Sequence, residues 1–118
     1  MLSLYHNPRC RKSREALNYL INNKIKHIQV HYLKNGISKK EIESILKKIK
    51  IKPEKLIRIQ EKVWKESYKN KNLNRDELIS AISDNPILME RPIITNDNSG
   101  VIGRPIDNLK YYLEKLSC

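Results

Sequence analysis

The feature that most narrows the fold is the opening of the chain, where the short apolar stretch Leu2-Ser3-Leu4-Tyr5 runs into His6-Asn7-Pro8 and then directly into a helical pattern. A strand, a proline-bearing turn and a helix in immediate succession are the start of a βαβ unit. The helix is expected from about Arg11 to Asn23, with Ala16, Leu17, Leu20 and Ile21 on one face. A second strand is expected where Ile28, Val30 and Tyr32 alternate with His27, Gln29 and His31, ending at Asn35-Gly36.

The middle of the chain reads as a helical block. Ser38 with Glu41 forms a capping box ahead of Ile42, Ile45, Leu46 and Ile49, and Pro53 opens a short helix with Leu56 and Ile57. Glu61 to Asn72 is polar and only weakly patterned, and Asn74 with Glu77 caps a helix that stops before Asn85-Pro86. Pro92 to Thr95 and Val101 to Gly103 then flank a turn-rich loop as a β-hairpin, and Pro105 opens a last helix with Leu109, Tyr112, Leu113 and Leu116 on its buried side. A helix crossing between the first two strands makes them parallel, while the hairpin adds antiparallel pairing. The expected architecture is therefore α/β, a thioredoxin-like four-stranded mixed sheet (βαβ…ββα) with a helical segment inserted at about 38–85. A length of 118 residues suits a single domain.

Charge widens the range of partners, because 24 Lys plus Arg stand against 13 Asp plus Glu for a net +11. Such a chain attracts anions of every size. Yet the basic residues are spread along its length and no nucleic-acid-binding motif accompanies them, so specific nucleic-acid recognition is not expected. No apolar run approaches the ~18 to 20 residues of a membrane span, and the first residues lack the pattern of an export signal, so a cytoplasmic protein is expected. The two cysteines, Cys10 and Cys118, form no disulfide framework, and three scattered histidines give no metal-ligand spacing.

Cys10 falls at the start of the first helix. A thiol reacts as thiolate, and unpaired N–H groups at a helix N-terminus favour that form. Arg9, Arg11, Lys12 and Arg14 are expected to lower its pKa further, and the same amides suit a phosphate-like anion. A buried cysteine acting as a small hydrophobe is the alternative, against which stands the polar company of His6, Asn7, Pro8 and Arg9.

Asn7-Pro8-Arg9-Cys10 with Ser13-Arg14, the stretch Pro86 to Ile93, and Gly103-Arg104-Pro105 together resemble the glutaredoxin-coupled arsenate reductase family, in order along essentially the whole chain. The resemblance implies a thioredoxin-like fold with a helical insertion, a Cys10 thiolate that attacks arsenate, glutathione as co-substrate and glutaredoxin as the protein that clears the mixed disulfide. It further implies oxyanion binding by Arg58, Arg91 and Arg104, and a cis-proline at Pro92 that sets Arg91 beside Cys10. Guanidinium forks suit a tetrahedral oxyanion, although each distant arginine taken alone could form a surface ion pair. No bound cofactor is implied, and a monomer is expected.

Ser13 lies one helical turn beyond Cys10, where a second cysteine could have closed a disulfide, so the site is monothiol and calls for an external thiol. Its hydroxyl either donates to the thiolate or anion or simply belongs to the first turn. His6 either orients or deprotonates the thiol or caps the turn. Cys118, at the far end of the last helix, is expected to be an exposed residue without a catalytic role. In one respect the chain departs from the family: Arg11 stands where a small residue commonly follows the cysteine, adding charge but with room to crowd the anion. Two other readings remain open at this level. One is a glutathione-dependent thiol-disulfide oxidoreductase acting on another substrate. The other is a redox regulator that binds RNA polymerase, disfavoured by the missing second thiol of a C-x-x-C switch.

Overall fold

The computed structural model describes residues 1–117. Its elements are β1 (Leu2–Tyr5), α1 (Arg11–Asn22), β2 (His27–Val30), α2 (Tyr32–Asn35), α3 (Lys39–Ile49), α4 (Pro53–Leu56), α5 (Lys62–Ser67), α6 (Arg75–Asp84), β3 (Ile93–Thr95), β4 (Gly100–Ile102) and α7 (Ile106–Leu116), with a 3₁₀ turn over Pro86–Leu88. The strands form one mixed sheet in the order β2-β1-β3-β4. β1 pairs in parallel with β2 and antiparallel with β3, and β3 pairs antiparallel with β4. This is the thioredoxin-like α/β arrangement.

Both faces of the sheet centre are covered, which is why β1 and β3 carry buried apolar residues on both faces. Leu2, Leu4 and Ile94 pack with Ala16 and Leu20 of α1 and Leu109 and Tyr112 of α7. Tyr5 and Ile93 face the other way, into a cluster with Ile42, Ile45 and Leu46 of α3 and Leu78, Ile79 and Ile82 of α6. Each fully buried Leu or Ile contributes about 1.5–3 kcal/mol relative to exposure.

Three details depart from the sequence reading. β2 ends at Val30, and Tyr32, fully buried, opens the short helix α2 instead of extending the strand. β2 is an edge strand, so Ile28 is half exposed. Ile21 and Leu116 are likewise solvent-facing, each in the final turn of its helix. At α3, Ser38 Oγ accepts the Glu41 N–H, but the Glu41 carboxylate accepts from the Tyr5 hydroxyl at 2.9 Å, tying the helix to β1. The full reciprocal box forms at Asn74 and Glu77.

Candidate active site

The turn between β1 and α1 is closed by its own polar groups. Cys10 N–H donates to Asn7 O at 3.0 Å, Arg9 N–H to Asn7 Oδ1 at 3.0 Å, and the Arg14 guanidinium to Pro8 O at 3.0 Å. Beneath it, the fully buried Ser13 Oγ accepts the Asn7 N–H at 3.0 Å and lies 2.7 Å from His6 Nδ1. Ser13 and His6 therefore hold the turn from inside, and no hydrogen bond joins either side chain to Cys10 among the described residues. The Ser13 contribution to the sulfur comes from its backbone.

Cys10 is the N-cap residue of α1, extended at φ −93° and ψ 122° and partly exposed. Burial raises its pKa, but the backbone N–H of Ser13, the Arg91 guanidinium and the backbone N–H of Lys12 outweigh it, and the thiol lies below its ordinary value. The cations adjacent in sequence are not the source of this shift. Arg9, Arg11, Lys12 and Arg14 are all exposed. Arg11 lines a groove between α1 and α7 with Tyr19 and Lys110.

Arg91 reaches the site across the cis Arg91–Pro92 bond and is only 8% exposed. It donates through Nη1 to Ile87 O at 3.0 Å, while its Nε is buried without a hydrogen-bond partner. Arg58 is brought alongside by a short antiparallel contact around the Ile57–Met89 bridge: Arg58 N–H donates to Leu88 O and Glu90 N–H to Leu56 O. Gly103 N–H donates to Pro92 O at 2.8 Å, so Arg104 leaves from beside the cis-proline, but its side chain is exposed. The peptide bond Arg104–Pro105 is also cis, which the sequence reading did not foresee.

Three further residues belong to this neighbourhood. Glu61 Oε2 lies 3.1 Å from Arg58 Nε and 3.6 Å from Arg91 Nη2, and Glu90 Oε1 lies 3.5 Å from Arg58 Nη1. Tyr32, with its buried hydroxyl unpartnered, is raised to about 12 by burial, with Arg91, Cys10, Arg58 and Glu61 as its charged neighbours. Only Glu61 carried a local signal, its i,i+3 spacing from Arg58. Cys118 lies outside the described residues.

Beside the Cys10 turn lies a cavity of about 550 Å³, with Pro8, Leu33 and Ile87 as apolar lining and Arg9, Lys34 and Arg91 as cations. Among the described residues no group of three His, Cys, Asp or Glu is placed to hold a metal ion, and no helix is long and apolar enough to cross a membrane.

Fold and site together define a thioredoxin-like domain with one activated thiol at a helix N-terminus and an arginine beside it. The ArsC family model matches residues 5–111. The chain is 35% identical over 114 residues to the arsenate reductase of Neisseria meningitidis serogroup A, covering 95% of this chain and 97% of that protein. It is 40% identical over 104 residues to an arsenate reductase of Haemophilus influenzae, covering 86% and 90%. The solved structure of an arsenate reductase from Vibrio cholerae superposes with a TM-score of 0.86 at 31% identity, covering 92% of this chain and 95% of that one. The chain belongs to the ArsC family.

Proposed function

We propose that this protein is an arsenate reductase-like thiol oxidoreductase in which Cys10 is the nucleophile and glutathione and glutaredoxin supply the electrons. The observation that carries the reading is the pairing of an activated Cys10 with Arg91, whose buried Nε has no acceptor and whose guanidinium favours the thiolate. An oxyanion beside the sulfur would satisfy that donor and meet the Lys12 and Ser13 amides. The thiolate attacks arsenic(V), an arsenate hydroxyl takes up a proton from solvent and leaves as water, and a sulfur–arsenic bond forms. A glutathione thiol then attacks Cys10 Sγ, the electron pair of the sulfur–arsenic bond stays on arsenic, and arsenic(III) departs. The resulting Cys10–glutathione disulfide is reduced by glutaredoxin. The three cations Arg9, Lys34 and Arg91, set among the apolar lining of Pro8, Leu33 and Ile87, suit an anionic tripeptide thiol.

A second reading, glutathione-dependent thiol chemistry on another substrate, is favoured by the exposed Arg104 and by the carboxylates already paired with Arg58 and Arg91. One assay separates the two: glutathione- and glutaredoxin-coupled arsenate turnover of wild type, Cys10→Ser and Arg91→Ala. The first reading expects wild-type turnover, abolished in Cys10→Ser and reduced at least tenfold in Arg91→Ala, of the order lost with a charged hydrogen-bond partner. Absent arsenate turnover beside rapid formation of a Cys10–glutathione disulfide would establish the second.

A further inference from the structure

The carboxylate between the two gathered arginines has the charge and reach of a ligand. Glu61 Oε2 contacts both Arg58 Nε and Arg91 Nη2, at 3.1 and 3.6 Å, and its side chain is 23% exposed. It is the N-cap residue of the six-residue helix α5 and makes no side-chain capping bond there; its carboxylate instead accepts from Arg58 Nε and pairs with Arg91. Its neighbours Ile59 and Gln60 are exposed. Glu90 approaches only Arg58, at 3.5 Å. A guanidinium engaged by an internal carboxylate offers fewer donors and less net positive charge to an incoming anion.

We infer that Glu61 is an internal counter-ion occupying the arginine side of the oxyanion site, and that an oxyanion binds next to Cys10 by displacing its carboxylate from Arg58 and Arg91. The inference rests on the oxyanion reading of the Cys10 site and adds its threshold. Every bound anion has to overcome the same ion pair, so Glu61 sets how concentrated an oxyanion must be before the site fills. Displacement needs only a side-chain rotation, because Glu61 stands at the start of a short helix on a partly exposed edge.

Sulfate, which is not reduced by thiols, serves as the probe at constant ionic strength. The readout is its protection of Cys10 against iodoacetamide, followed by peptide-resolved mass spectrometry in the full chain of wild type, Glu61→Gln, Glu61→Asp and Glu90→Gln. Glu61→Gln is expected to lower the half-protecting sulfate concentration by about five- to tenfold, as loss of a partly buried pair would. Glu61→Asp is expected to fall between it and wild type, and Glu90→Gln to gain less than Glu61→Gln.

Equal or weaker protection in Glu61→Gln would give Glu61 the opposite role, a brace that orients the arginines, and would overturn the inference. An equal gain from Glu90→Gln would reduce the effect to net charge and overturn it too. Protection of wild type without a Glu61 effect leaves the oxyanion reading standing while the inference falls. Absence of protection in every variant sinks both. Arsenate turnover is not part of the readout, so its failure does not bear on the result.

Discussion

At Cys10, burial raises the thiol pKa, and the Ser13 amide, the Arg91 guanidinium and the Lys12 amide together bring it below the ordinary value. Two of these three are backbone groups that no side-chain replacement removes. Arg91→Ala is therefore the informative substitution: without the guanidinium the thiol pKa is expected to rise, leaving less thiolate at neutral pH and slower alkylation. Arg9→Ala and Arg14→Ala, whose side chains are exposed, are expected to move it much less. Titration of the far-ultraviolet thiolate absorbance checks this, and an Arg91→Ala curve superimposed on wild type would refute it. Cys10 carried a local signal, a cysteine at a helix start, whereas the place of Arg91 beside it was implied only by the family resemblance through Arg91-Pro92. Glu61 and Glu90 were not read as partners of the arginines, because the Arg58–Glu90 and Arg91–Glu61 pairings exist only once the Ile57–Met89 contact has brought distant segments together.

Among the elements, the β1–α1 unit was the most legible and the β2–α2 unit the least. β1 carries apolar residues for two covered faces, and its turn is closed by side chains within eight residues of one another. In β2 the alternation of Ile28, Val30 and Tyr32 suggested a longer strand with one buried face, but the strand forms an edge and the chain turns into a helix at Tyr32. What sequence periodicity reports is amphipathicity, and it carries no information on which element covers the apolar side. Beneath the Cys10 turn, His6 has its pKa lowered below 6.5 by burial first, then by His31 and Arg14. The unfolded chain accordingly takes up this proton before the folded one does. The His6 contribution is intact above 6.5, and stability declines as pH falls from there towards the lower folded-state value. Urea midpoints measured across that window are expected to fall in wild type and to fall less steeply in His6→Gln. Ser13→Ala, which strips the Asn7 N–H and His6 of their shared partner, is expected to cost about 1–3 kcal/mol at neutral pH in the same experiment.

For the molecule as a whole, a net charge of +11 is a diffuse repulsion, and the proposed anion site at Cys10 is where it would be focused. Salt bridges of exposed residues such as Lys62–Glu66 and Arg75–Glu43 contribute little individually, so the surface repulsion is relieved mainly by screening. Chloride should therefore raise Tm gradually and in any variant that keeps most of the charge. Sulfate at matched ionic strength should do more if it occupies the Cys10–Arg91 site, because a ligand bound only to the folded state adds RT ln(1 + [L]/Kd). At ten times its Kd that is about 1.4 kcal/mol, a shift of about 4–8 °C for a chain of this size. The excess of sulfate over chloride is expected to disappear in Arg91→Ala, while the chloride response stays as in wild type. Sulfate also stabilises proteins generally by exclusion from their surfaces, but that effect needs far higher concentrations and would be undiminished in the variant. An excess that survives Arg91→Ala would mean that the positive charge of this chain acts as a general field, with no anion site focused at the thiol.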